Sequence, residues 1–153
     1  MLLQRLNKNN LPEIIAFNRR CFSPGDRWSG EDWTELLEDE RAHYYALLEN
    51  GQIVGNMFLY DWQGERDFLK IMNLGVAPGR RGQGLACRLL QKAAEELKAS
   101  TLTRCCGETR ESNLAMRRVF ECCGYRLNKT EESYYENPTE SACKYVLRRE
   151  ELE

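Results

Sequence analysis

The segment Asn73-Leu74-Gly75-Val76-Ala77-Pro78-Gly79-Arg80-Arg81-Gly82-Gln83-Gly84-Leu85-Ala86 constrains the fold more than any other part of the chain. An extended run ends at a proline, and a loop of glycine and arginine follows. The loop opens directly into the most regular amphipathic helix of the sequence. Leu85, Leu89, Ala93 and Leu97 recur every four residues, with Leu90 and Ala86 widening the stripe. A strand joined to a helix by so short a link belongs to a domain in which helices pack on a sheet. The glycines let the backbone curl and let a ligand approach it closely. The first amides of the helix have no acceptor within it and carry partial positive charge, so a phosphate or pyrophosphate is their natural guest. Arg80 and Arg81 can add charge-assisted bonds to it. No Gly-Lys-Ser/Thr follows, so this is not a P-loop. The spacing Gly79-x-x-Gly82-x-Gly84 is not the dinucleotide fingerprint either.

Around this segment the sequence predicts the order β-α-α-β-β-β-α-β-α-β-β, an α/β (α+β) chain with a mixed sheet and helices on both faces. Leu2 to Leu6 reads as an opening strand. Asn10 is the expected cap of a helix through Cys21, and Ser29, with Asp32 at the capping-box position, caps a helix over residues 30–39. Asn50-Gly51 marks a hairpin between strands 43–49 and 52–60. Strands are expected at 68–76, 101–108, 125–129 and 142–147. A helix is expected at 113–123, stopped by Gly124. No repeat or linker interrupts the 153 residues, which are read as one domain, 1–153.

Composition excludes several functions. A net charge of -2 argues against a general nucleic-acid binder. No stretch approaches the ~20 apolar residues of a membrane span, so neither a nucleic acid nor a membrane is expected as partner. His43 is the single histidine and lies in an apolar, aromatic stretch, where it reads as structural; a site with two histidine ligands is impossible and no metal is expected. The seven cysteines are odd in number, show no C-x-x-C spacing and include two adjacent pairs. They fit neither a disulfide framework nor a zinc ribbon, and read as small apolar fillers of a cytoplasmic protein.

Val76-x-Pro78-x-x-Arg81-x-x-Gly84-x-Ala86 resembles the acetyl-coenzyme A loop of the GNAT N-acetyltransferases, whose pattern is Gln/Arg-x-x-Gly-x-Gly/Ala. With the element order on either side, the resemblance covers nearly the whole chain. It implies a GNAT fold: about seven strands, about four helices on both faces, and a V-shaped splay at the acetyl-CoA site. It implies a pyrophosphate held by the amides of Arg81, Gly82, Gln83, Gly84, Leu85, Ala86 and Cys87. It places a pantetheine arm along Leu74, Gly75 and Val76, with a backbone N–H near Val76 polarising the thioester carbonyl.

The second half resembles the RimI-type ribosomal-protein alanine acetyltransferases. Glu108-x-Arg110-x-Ser112-Asn113-x-x-Ala115 follows that group's Glu-x-Arg-x-Ser-Asn-x-x-Ala, and Phe120-Glu121-Cys122-Cys123-Gly124-Tyr125 its Tyr-Glu-x-x-Gly-Phe. Ser133-Tyr134-Tyr135 resembles the paired tyrosines of its late loop. The resemblance implies Glu108 as general base and Asn113 as the side chain holding the pantetheine arm; from the residues alone Glu108 reads as a surface carboxylate in a salt bridge or helix cap, and Asn113 also reads as a helix N-cap. Trp28, Tyr134 and Tyr135 are candidate acceptor-pocket walls, or core edges. Phe120 departs from the group: the tyrosine it replaces protonates the leaving thiolate, and phenylalanine cannot. Water, the ammonium formed on attack, or the hydroxyl of Tyr134 or Tyr135 remain as proton sources. The implied activity is acetyl transfer from acetyl-CoA to a primary amine, first a protein N-terminal α-amine, second a small-molecule amine such as an amino acid, polyamine or antibiotic. A non-catalytic acyl-CoA sensor, as a monomer or homodimer like the enzyme, is the third reading.

Overall fold

A computed structural model describes residues 1–152. The strands β1 (Leu2–Leu6), β2 (Ala42–Glu49), β3 (Gln52–Asp61), β4 (Phe68–Val76), β5 (Arg104–Arg110), β6 (Arg126–Tyr135) and β7 (Glu140–Arg148) form one sheet, ordered β1-β2-β3-β4-β5-β7-β6. The helices are α1 (Leu11–Cys21), α2 (Gly30–Glu38), α3 (Leu85–Ala99) and α4 (Leu114–Cys122). All neighbouring strands are antiparallel except β4 and β5, which are parallel and joined through α3. The sequence-derived element order is the observed one.

Two layers of apolar side chains hold the helices to the sheet. On one face Leu89, Leu90, Ala93 and Leu97 of α3 and Phe120 of α4 pack on Leu47, Met57, Leu59 and Leu69. On the other, Ile14 and Phe17 of α1 and Trp33 of α2 pack on Tyr44, Ala46 and Phe58. This second cluster draws on none of β5, β6 or β7, so the same face of that half of the sheet carries no helix. His43 sits between β2 and α3, its Nδ1 2.9 Å from Glu96 Oε2, a structural placement as expected. Burial pushes the Cys105 thiol up to about 12 and also raises the Cys123 thiol.

Local details differ from the sequence reading at two places. Ser29 caps α2 in the expected box: its hydroxyl accepts from the Asp32 N–H at 3.1 Å, and the Asp32 carboxylate accepts from the Ser29 N–H at 3.2 Å. Asn10, however, makes no side-chain cap to α1. A short 3-10 turn at Lys8–Asn10 precedes the helix, and the Asn10 side chain instead accepts from the Asn7 N–H that opens that turn. The expected late loop, 131–136, is largely strand. β6 continues to Tyr135 through an irregular register after Glu131, with Ser133 at φ 52°. β6 is an edge strand exposed on both sides, so no apolar alternation marked its length.

The sheet opens where the site lies. β4 and β5 pair only at Phe68↔Arg104, Leu69↔Cys105 and Lys70↔Cys106, although β4 continues to Val76 and β5 to Arg110. On its other edge β4 pairs Ile71 with Leu59 and Asn73 with Phe58, which leaves Met72 as an extra residue. Such a bulge bends its strand, and it lies just past Lys70, where the pairing of β4 with β5 ends. A buried polar cluster braces the bend. Asn56 Oδ1 accepts from Tyr44 Oη at 2.5 Å and from Asn18 Nδ2 at 2.9 Å, while Asn56 Nδ2 donates to Asn73 Oδ1 at 2.9 Å. The cluster thereby ties α1, β2, β3 and β4 together.

Candidate active site

The loop after β4 presents backbone rather than side chains to a ligand. Gly82 and Gly84 have φ of 77° and 80°, the left-handed region, and a Cβ built on either would meet nothing within 4 Å. Gly84 is the N-cap of α3 and no side chain caps that end, so the amides of the first turn point into open space. The arginines do not fill it. The Arg80 guanidinium pairs with Glu49 and its Nε donates to Gln83 at 3.0 Å. Arg81 donates from Nε to the Val76 carbonyl at 3.2 Å and from its other end to the Cys21 carbonyl at 3.4 Å. These bonds shape the loop and anchor it to the end of α1.

Beyond Lys70 the β5-facing edge of β4 is unpaired. The Ala77 N–H donates to the Val54 carbonyl on the β3 side at 2.9 Å. Backbone groups alternate between the two edges of a strand, so those of Leu74 and Val76 face the opening. Loop amides, an uncapped helix start and a free strand edge fit a ligand with an anionic head and an amide-bearing arm.

Glu108 sits on β5 at this opening, on the face without helices. Its carboxylate is paired with Lys70 of β4 and hydrogen-bonded by the Tyr134 hydroxyl. Lys144 of β7 lies directly opposite in register. Burial pushes the Glu108 pKa up, but the bonds from Lys70 and Tyr134 and the charges of Lys70 and Lys144 outweigh it and hold the carboxyl below the ordinary glutamate value. Burial and the bond to Glu108 raise the Tyr134 phenol above its usual range. The Tyr134 and Tyr135 rings meet edge to face at 5.1 Å, with Lys144 over the first at 4.5 Å and Arg110 over the second at 4.7 Å.

Arg110, next on that face of β5, closes the site at one end. It forks onto Asp26 of the α1–α2 loop, Nη2 to Oδ1 at 2.9 Å and Nε to Oδ2 at 3.2 Å. It also donates to the carbonyls of Glu136 and Pro138 in the β6–β7 turn, at 2.8 and 2.7 Å. Loop and turn touch, since a Cβ on Gly25 would lie 2.9 Å from the Asn137 carbonyl oxygen. The result is an arch over the end of β5 beside Glu108. Sequence reasoning put Arg110 in a motif but gave it no role, because its partners, Asp26, Tyr135, Glu136 and Pro138, are far from it in the chain.

Phe120 is 1% exposed, stacked on Tyr145 at 5.0 Å and tilted against Tyr125 at 5.2 Å. Its ring edge presses on β5 where Gly107 leaves room; a Cβ there would fall 2.7 Å from two ring carbons. It is a core aromatic beside the splay. The neighbouring hydroxyls are committed elsewhere, Tyr125 to Cys105 Sγ at 3.3 Å and Tyr145 to Glu121 at 3.2 Å.

Residues 11–125 match the Acetyltransferase (GNAT) family, three quarters of the chain and all of the elements from α1 to α4. The chain belongs to the GNAT acetyltransferases. As a GNAT enzyme it is an acetyl-CoA-dependent N-acetyltransferase. A Bacillus subtilis (strain 168) protein provisionally named ribosomal protein bS18-alanine N-acetyltransferase is 29% identical over 108 residues, which are 71% of this chain and 70% of that one. Among solved structures, the ribosomal-protein-S18-alanine N-acetyltransferase of Escherichia coli superposes with a TM-score of 0.86 at 23% identity, covering 99% of this chain and 98% of that one. Arabidopsis thaliana NAA60 in complex with acetyl-CoA does so with 0.82 at 14% identity, covering 96% and 97%. These two show the shared fold.

Within this GNAT domain the residues singled out from the sequence fall into three places. Leu74 and Val76 turn their backbone groups to the free edge of β4, Gly75 pairs with Asn56 of β3, and Arg81 to Cys87 form the loop and first turn of α3. Glu108, Tyr134 and Tyr135 lie together. Asn113 caps α4, its Oδ1 accepting from the Met116 N–H at 3.1 Å, so its amide NH2 is the part free to meet a ligand. Trp28, in the α1–α2 loop, rests its ring against Trp33 at 4.7 Å and Phe58 at 5.7 Å, at the edge of the core. Lys70 went unnoticed in the sequence because nothing local links it to a residue 38 positions later. Among the described residues no cluster of three or more His, Cys, Asp or Glu is arranged to hold a metal, and no helix is long and apolar enough to cross a membrane.

Proposed function

We propose that this GNAT enzyme acetylates the N-terminal α-amine of a polypeptide, with Glu108 as the group that receives the acceptor amine. The observation carrying this reading is the position of Glu108, at the β4–β5 opening and beside the Arg110 arch. The arch shuts one end of the helix-free face, so an acceptor lying along that face presents a chain end to Glu108 rather than a side chain from mid-chain. Bound acetyl-CoA supplies the acetyl group as a thioester. Amides of residues 81–87 hold its pyrophosphate, the edge of Leu74 to Val76 and the Asn113 amide hold its arm, and the Val76 N–H polarises the carbonyl.

The proton inventory follows from the electrostatics. An α-ammonium has a pKa of about 7.7–8.0, while the bonds and charges around Glu108 hold its carboxyl below the usual glutamate value, so the carboxylate is much the weaker base. Full transfer to Glu108 is uphill, so the carboxylate takes over the ammonium from Lys70, holds it, and passes one proton through to water. The neutral amine forms the N–C bond as the C–S bond breaks; the proton then released by the new amide nitrogen passes by way of Glu108 to solvent, and the departing sulfur takes one from solvent, since Phe120 has none to give. The ribosomal-protein acetyltransferase relative supports a protein acceptor. The seven free thiols fit a reducing compartment, and we place the enzyme in the cytoplasm.

The test is release of coenzyme A thiol from acetyl-CoA with a panel of free-N-terminus peptides, the same peptides pre-acetylated, and small amines. Turnover is expected with the free peptides alone. Turnover with polyamines or amino acids and none with peptides would overturn the reading.

A further inference from the structure

The helix-free face continues from Glu108 toward the start of β5 as a groove of about 390 Å³. Its lining contains four cations, Arg66, Lys70, Arg104 and Lys144, and no aspartate or glutamate, in a chain whose net charge is -2. Two aromatic rings form its outer end. Arg66 stands over the Trp62 ring at 5.5 Å and Arg104 over the Phe68 ring at 4.9 Å. The carboxylates that pair with Arg104 and Lys144, Asp67 and Glu131, lie outside the lining. Arg66 is exposed and meets the Trp62 face.

The groove and the Glu108 site are continuous. Arg104, Cys106 and Glu108 alternate onto one face of β5, and Lys70 and Lys144 border both. Four residues of strand separate Glu108 from Arg104, about 13 Å, the span of about four residues of an extended acceptor. We propose, resting on the α-amine reading above, that this groove holds the acceptor chain beyond its amino terminus and selects acidic side chains at about its third to sixth residues. The α-amine lies at Glu108 under the arch. Carboxylates further along meet Arg104 and Arg66, and apolar side chains between them lie on Trp62 and Phe68. A lysine- or arginine-rich acceptor meets Arg66 there, and Arg104 beside its partner Asp67, and is disfavoured.

The experiment compares kcat/KM for peptides sharing their first two residues but carrying Glu, Ala or Lys at residues three to six. Each exposed charge pair is expected to contribute about 1.5- to 5-fold, so the Glu series exceeds the Lys series by tenfold or more, and the ratio shrinks in high salt. Arg66→Glu with Arg104→Glu reverses the order while leaving turnover of a dipeptide acceptor, too short to reach them, unchanged. Arg66→Glu alone, at a residue bound only to a ring face, narrows the ratio without a change in melting temperature. Equal rates across the series, or a preference that survives charge reversal, would overturn the groove assignment and leave the α-amine reading standing. No transfer to any peptide would instead reject the α-amine reading, and the groove assignment with it.

Discussion

Replacing Gly107 by alanine tests how Phe120 is held beside the acetyl-CoA opening. A Cβ there lies 2.7 Å from two carbons of the Phe120 ring and 3.4 Å from the Ile71 side chain. Carbon atoms rest at about 3.5–4.0 Å, so the overlap with the ring is about 1 Å. The ring cannot slide away, being 1% exposed and clasped by Tyr145 and Tyr125. Overpacking of this kind costs about 1–3 kcal/mol. At this chain length that is a fall in Tm of about 2–12 °C, read by thermal unfolding monitored by circular dichroism. The sharper expectation is a coupling. With Phe120→Leu the ring edge is gone, and alanine at 107 then restricts the unfolded chain without a clash, so the second substitution is neutral or stabilising. A Gly107→Ala variant that melts with the wild type, or one equally destabilised in the Phe120→Leu background, would refute the packing argument.

Other substitutions address the chemistry. Glu108→Gln is expected to lower kcat by about 10²- to 10⁴-fold in the thiol-release assay. In the wild-type enzyme kcat/KM should climb with pH to a plateau above about pH 8, following the acceptor amine, with no step near neutrality from a carboxylate held low. Lys70→Met removes the first partner of Glu108 and lets its pKa rise, which brings an acid limb upward in the same profile. The depressed Glu108 pKa also sets a sign for stability: its contribution is complete above the unfolded value and is lost as pH falls through the folded one. Lys70→Met should therefore melt closer to the wild type in acid, below about pH 4, than near neutrality. Gly84→Val forces a β-branched residue to φ near 80°, and acetyl-CoA affinity by calorimetry should fall about tenfold.

The sequence was most legible where physics is local. Helix α3 announced itself by its leucine spacing, the β2–β3 hairpin by Asn50-Gly51, and the donor loop by proline, glycine and a helix start in one run. Glu108 entered through the motif resemblance. What it touches did not, because Lys70, Tyr134 and Lys144 come to it from three other strands. The splay was implied by the family pattern, yet the Met72 bulge beside it, braced by Asn56, depends on register between strands. The charge of the loop arginines was legible, but not their protein partners, Glu49 and the Val76 carbonyl, which lie elsewhere in the chain or depend on the loop's curl. β6 was cut short because an exposed edge strand has no buried face to write a pattern.

The most direct measurement of acceptor choice is the position of the acetyl group after one reaction. A peptide with a free N-terminus and an internal lysine is incubated with the enzyme and acetyl-CoA, and the product is sequenced by fragment-ion mass spectrometry. The arch beside Glu108 and the end-on approach it imposes predict acetylation of the α-amine, with the lysine untouched. Acetyl on the lysine side chain, at a comparable rate, would contradict them.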